Sequence, residues 1–276
     1  ALQALKRLEQ SRYFEQSNRH LQEWHITPIF EAYCAAREWG AAVRQLGFMR
    51  RRGVELQKHH WMQLGVEIHR FGDLEQAAFH IEKAGKDTSA LGGLDIVALN
   101  GLLFAASLAR DVDRAVTLFQ NAGKLHALRM DENTMGKTPK ALEPNLDSFN
   151  ILFSTLTHSK DNISGRTYVQ LMNRRGITAD TLTYERLIAL ELSASDFRKA
   201  FEYLEEAKLR NHVPSQQVYE MLIQDCYQQR DDRWRLLLDE MVEVGHKKPS
   251  EKLLRRIRMD EAPQSSFAKF RETRLR

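Results

Sequence analysis

Residues that could do chemistry are few in this 276-residue chain, and they are scattered. His59 and His60 invite a metal reading, but adjacent helical positions point in different directions. No cysteine or carboxylate completes a ligand set around them at a standard spacing. They read as structural or solvent-facing histidines, and no metal is expected. Cys34 and Cys226 stand nearly two hundred residues apart on helical patterns and read as reduced core thiols. Asp231 and Asp232 precede Arg233 and Trp234 at a helix start, where acids meet the helix dipole favourably. No further acidic cluster resembles a metal-binding nuclease site, and the zinc-deaminase signature is absent. No catalytic residue and no cofactor is therefore expected. Arg50, Arg51 and Arg52 support two readings: a phosphate contact, or cations favoured at a helix C-terminus by the dipole alone. Trp39, Trp61 and Trp234 fall on apolar helix faces and read as core.

Charge narrows the partners. The net charge is +4, but His246–Arg276 holds ten Lys and Arg against four acids, a net +6 that leaves −2 for the rest. Such a tail suits a phosphate backbone or an acidic partner, and a solvated terminal helix explains it equally well. No run approaches the ~20 apolar residues of a membrane span. With 6 prolines, 14 glycines and no sustained apolar–polar alternation, strands are not expected and the fold class is all-α.

The elements that position these residues are set by a repeat. Pro144, Ala179, Pro214 and Pro249 lie 35 residues apart, and so do Phe149, Tyr184, Tyr219 and Leu254, and again Leu152, Leu187, Leu222 and Ile257. A fixed period in this range marks paired helices, each pair unable to bury its apolar face without its neighbours. The expected fold is a right-handed α-solenoid of about six helix-turn-helix repeats, 23–57, 58–95, 96–145, 146–180, 181–215 and 216–250. Residues 1–22 form a capping helix or half repeat, and 251–276 a last helix with a basic tail. The first repeat should open its first helix at Thr27-Pro28, with Thr as cap and Pro in the first turn, and end its second at Gly53. Asp73-Leu74-Glu75 and Asp111-Val112-Asp113 open second helices. The third repeat carries 15 extra residues at about 124–143, where Asn133, Gly136 and Pro139 predict a surface loop. A small column, Ala42, Ala77, Ala115, Gly165 and Ala200, lets neighbouring second helices approach closely, and Arg235 departs from it.

The runs Pro144-Asn145-Leu146-Asp147-Ser148-Phe149-Asn150, Gly176 through Tyr184, and Val213-Pro214-Ser215 leading to Tyr219 resemble the pentatricopeptide repeat family, strongest from Ile96 onward. The resemblance implies an organellar protein whose first helices line a groove for single-stranded RNA, one base per repeat. In that family the fifth residue of the first helix and the last residue of the connection read the base edge, and the second residue's apolar side chain sandwiches the base. Carried onto this chain, Asn100 pairs with Asn145 beside Val97, and Asn150 pairs with Asp180, whose repeat holds Asp147 at the sandwich position. Leu182, Thr27 and Trp24 complete the implied RNA-binding set. The other pairs depart from the pattern: Thr27 with Gln57, Met62 with Asp95, Glu185 with Ser215 and Glu220 with Ser250. The implied partners are single-stranded or ribosomal RNA, with proteins reached through the 124–143 insertion or the basic tail. The implied location is the mitochondrion, or alternatively the plastid. Two functions follow: a non-catalytic RNA binder in RNA processing, stability or translation, or a scaffold subunit of an assembly such as the mitochondrial ribosome.

Overall fold

The computed structural model describes residues 23–87, 89, 92–130, 140–246 and 249–256, with the side chains of 23–25, 252, 255 and 256 outside that description. Trp24's side chain, Ile257, residues 1–22 and nearly all of the basic tail therefore lie outside the described residues. The fold is all-α, a succession of helical hairpins, and it divides into two bodies, 1–179 and 180–276.

The N-terminal body holds α1 (Glu23–Ala35), α2 (Trp39–Arg51), α3 (Lys58–Phe71), α4 (Leu74–Gly85), α5 (Ile96–Leu108), α6 (Val112–Asn121), α7 (Leu146–Ser159) and α8 (Asn162–Arg174). The C-terminal body holds α9 (Thr181–Ser193), α10 (Phe197–Leu209), α11 (Gln216–Gln228), α12 (Arg233–Glu243) and α13 (Glu251–Arg256). From the second repeat on, each first helix starts on the first residue of its repeat. Every hairpin turns through a residue at positive φ, Arg37, Gly72, Arg110, Lys160, Ser195 and Arg230 in succession. Just after it, Asp111, Asp161 and Asp196 cap α6, α8 and α10 by accepting from the backbone N–H three residues on. Asp73 makes no such cap. Its carboxylate takes the Arg37 guanidinium (Nε at 2.6 Å) and Trp39 Nε1 (3.3 Å), tying the first repeat to the second.

The repeated columns are core. Leu64, Leu102, Leu152 and Leu222 are fully buried, and so is each residue of the small column from Ala42 to Ala200. Arg235 is exposed, as expected where the close approach ends. Trp39, Trp61 and Trp234 are core, and both thiols are buried.

Two expectations need correction. The first helix runs from Glu23 through Pro28, which forfeits one backbone bond, so Thr27 is not a cap. The described ends of the insertion are not a free loop: Leu125 and Leu142 are buried. Backbone bonds knit 125–129 to the preceding connection, Leu94 N–H to His126 O (2.8 Å) and Leu128 N–H to Leu94 O (2.9 Å). The insertion has thus docked on the preceding connection through an isolated β-bridge, without forming a strand among the described residues. Gly93, at φ +97°, makes room for this: a Cβ there would stand 2.4 Å from Ala127 O.

Candidate nucleic-acid interface

The helix hairpins bring together the fifth residue of a first helix and the last residue of the following connection, because that last residue is the N-cap of the next first helix. Asn145 caps α7, accepting from Ser148 N–H at 3.1 Å. Asn100 on α5 donates through Nδ2 to the same Asn145 Oδ1 (3.1 Å), and the Ser148 hydroxyl donates to Asn100 Oδ1 (2.6 Å). The Asn145 N–H closes the ring by donating to Ser148 Oγ (3.1 Å). Asn100 is 1% exposed and Val97 4%. A buried amide with both ends occupied is stably held, and here its base-reading edge is spent inside the protein.

The reason for this burial lies one helix earlier. A Cβ at Gly65 on α3 would fall 2.7 Å from Gly101 O and 2.8 Å from Phe104 Cδ1, so α3 and α5 touch backbone to backbone. The helix α5 carries no polar face, and ten of its residues are buried. A helix apolar all round belongs in an interior. Between the second and third repeats the first helices therefore leave no slot for a base. Their own pair is divided too: Met62 is exposed, whereas Asp95 accepts from Arg50 Nε (2.9 Å) and caps α5 through Val97 N–H.

In the C-terminal body the same positions hold acids. Glu185 Oε1 accepts from Ser215 N–H (2.7 Å), and Glu220 accepts from Ser250 N–H (2.8 Å), Ser250 Oγ (2.7 Å) and Gln216 Nε2 (2.9 Å). Burial opposes ionisation of Glu220, but these hydrogen bonds outweigh it and hold its carboxyl below the usual range. Each glutamate thus satisfies an otherwise open backbone donor at the start of the next connection or helix.

The remaining site residues are placed as follows. Asn150 is 5% exposed in the N-terminal body, and Asp180 caps α9 by accepting from Thr183 N–H (2.7 Å). Leu182 is half-buried on α9. Thr27 Oγ1 lies 3.4 Å from Nε2 of the buried His60, whose Nδ1 accepts from Gln57 N–H. His60 thus closes a capping box at the start of α3. Asp231 accepts from Arg233 N–H and Nε, and the hydrogen bond from Arg233 holds its carboxyl low.

Sequence reasoning missed Ser148 as the third member of the amide ring, and it missed the Gly65–Gly101 contact. The signal for the latter was present: two glycines within first helices whose equivalents elsewhere are bulky. Among the described residues no cluster of His, Cys, Asp and Glu could hold a metal, and no helix is long and apolar enough to cross a membrane. A groove of about 510 Å³ between α10 and α12 is lined by Phe201, Leu209, Arg233 and three glutamates. Those glutamates are each ion-paired, to Lys199, Lys208 and Arg210, so the groove presents no reactive pair.

Residues 4–122 match the family model described as pentatricopeptide repeat-containing protein. No curated protein matches the chain. Among solved structures, maize PPR10 superposes with a TM-score of 0.48 at 17% identity, over 83% of this chain and 30% of that one. PPR10 in complex with an 18-nt psaJ RNA element gives 0.54 at 19% identity, over 93% of this chain and 34% of that one. A triple cysteine-to-serine form with the same element gives the same values. The chain spans about a third of the length of the protein it superposes on.

Proposed function

We propose that the chain is a pentatricopeptide repeat protein, a reading supported by the match of residues 4–122 to that family's model, and that it binds single-stranded RNA without catalysis in organellar, and specifically mitochondrial, RNA processing, stability or translation. The observation that carries the reading is the juxtaposition of Asn100 with Asn145, the two positions at which this repeat class meets a base. The likeness in fold to PPR10, solved with RNA bound, supports it. Engaging a base requires the amide ring to open, so affinity is modest and carried largely by phosphate contacts, with strong salt dependence. Titration of a pyrimidine-containing single strand at several salt concentrations tests this. Asn100→Ala with Asn150→Ala should weaken binding and blur base preference. Unchanged affinity and preference would remove these residues from recognition.

A second reading is favoured by the closed contact at Gly65 and Gly101: a scaffold subunit of an organellar ribonucleoprotein, such as the mitochondrial ribosome, holding protein or folded RNA. Stoichiometric partners on gentle purification would support it, and a stable monomer without partners would count against it.

A further inference from the structure

The first helices of the N-terminal body leave one apolar patch uncovered. Met62 and Val66, 38% and 42% exposed, each follow by one residue a position that α5 covers, Trp61 and Gly65. The half-buried Phe104 does the covering: its ring stands edge-on to Trp61 at 5.1 Å and lies against Gly65. Leu108, also 38% exposed, continues the patch one turn along α5.

The rim of this patch is cationic. Lys58 and Arg70 are exposed at the two ends of α3, twelve residues and so about 18 Å apart along the axis. His59 and His69 accompany them, and the exposed Arg110 follows α5. On the two helices acids are nearly absent: α5 has none, and Glu67 on α3 is buried, with one oxygen 3.6 Å from Arg70, while the exposed Glu55 and Asp111 sit in the connections beside Lys58 and Arg110. On the flanking first helices the described acids outside the core are Glu31 of α1 and Asp147 of α7.

RNA suits this face poorly. Its centre offers methyl, thioether and phenyl groups but no donor or acceptor for a base edge, and the nearby Asn100 is spent on Asn145 and Ser148. An apolar centre with cations at both ends matches instead the helix-in-groove mode of protein recognition. We propose that the α3–α5 face docks an acidic amphipathic helix of a partner protein. Its apolar side chains, spaced i and i+4, cover Met62, Val66 and Phe104, and carboxylates at its two ends meet Lys58 and Arg70. This does not rest on the RNA reading.

The probe is a synthetic helical peptide of about 18 residues, five turns, with leucines on one face and glutamates at both ends, titrated against the full chain by fluorescence anisotropy. The acidic peptide should bind, and Val66→Glu should weaken it roughly tenfold, as should replacing its glutamates with lysines. Lys58→Glu with Arg70→Glu should reverse the preference toward the lysine peptide. These residues are exposed, so the variants keep the parent's thermal melt, and the charge reversal stands alone should Val66→Glu fail to fold. Equal affinity for both peptides, or no binding of the acidic one, would overturn the proposal. So would Val66→Glu weakening oligouridylate binding while sparing the peptide, which would assign the face to RNA.

Discussion

At the eighth position of the first helix the N-terminal body carries Gly65 on α3, and the C-terminal body carries Ile188 on α9. At the sixth position of the helix that follows, Gly101 on α5 corresponds to Met221 on α11. The hairpin rule is the same in both bodies, but side-chain volume sets how near successive first helices come. Where two glycines face each other the backbones touch, and the polar residue beside them, Asn100, is drawn into the core, with its partner Asn145 half-buried. Where isoleucine and methionine stand instead, the equivalent residues Glu185 and Glu220 remain half-exposed and clamp the following segment from outside. One repeat pattern therefore yields a sealed step and an open one.

The largest expected effect tests the column common to both bodies. Leu187→Asp removes a buried leucine and inserts a carboxylate without a partner, and should cost about 4 kcal/mol or more. Hydrogen exchange should localise the loss to α9–α12. A variant that melted like the parent would mean that this column is not core.

Gly65→Ile transplants the C-terminal body's residue into the N-terminal one. Its Cβ alone would lie 2.7 Å from Gly101 O. The helices must part, at a cost of roughly 3 kcal/mol by overpacking, and amides near Asn100 and Ser148 should lose exchange protection. If urea unfolding shows no loss, α3 and α5 are not in backbone contact.

How much of this could be read beforehand follows from the range of the interactions. The helix starts at Lys58, Ile96, Leu146, Thr181, Gln216 and Glu251 are local, written in the apolar columns and caps of each repeat. The pairing of Asn100 with Asn145 came instead from the family resemblance, which says which positions of successive repeats meet, and the two amides do hydrogen-bond. The burial of Asn100 was not legible, because it depends on Gly65, which lies in a different repeat and packs on Gly101. The docking of 125–129 on Leu94 depends likewise on two irregular segments meeting, and no period encodes irregularities. Pro28 misled because a proline suits a first turn, yet the burial of Ile26, Ile29 and Phe30 holds it inside a helix.

The glutamate clamps can be separated from a charge that merely repels RNA. Glu220→Ala removes the acceptor for Ser250 N–H and Oγ and should cost about 1–2 kcal/mol. Because the folded carboxyl lies below its usual range, the clamp's stability is present above the unfolded pKa and is lost as pH falls through the folded one. The parent should thus lose more thermal stability than Glu220→Gln between mildly acidic and strongly acidic solution. A gain in RNA affinity with no change in stability would instead make Glu220 a repelling charge.

The smallest effect concerns a bond repeated within the C-terminal body. Tyr184 OH donates to Glu206 (3.1 Å) and Tyr219 OH to Glu240 (2.6 Å), each fastening a first helix to its own second helix. Burial, and then the charge of Glu206, pushes the Tyr184 phenol up to about 12. A raised folded value means that the unfolded chain releases its proton first as pH rises. The contribution is therefore complete below about pH 10, the unfolded value, and drains away between there and about 12. Tyr184→Phe should cost about 1 kcal/mol at neutral pH and flatten the alkaline fall of the C-terminal body's melting temperature, while the N-terminal body keeps its own profile. If Tyr184→Phe leaves the alkaline fall as steep as in the parent, this phenol is not what sets it, and the Tyr184–Glu206 bond carries no pH dependence.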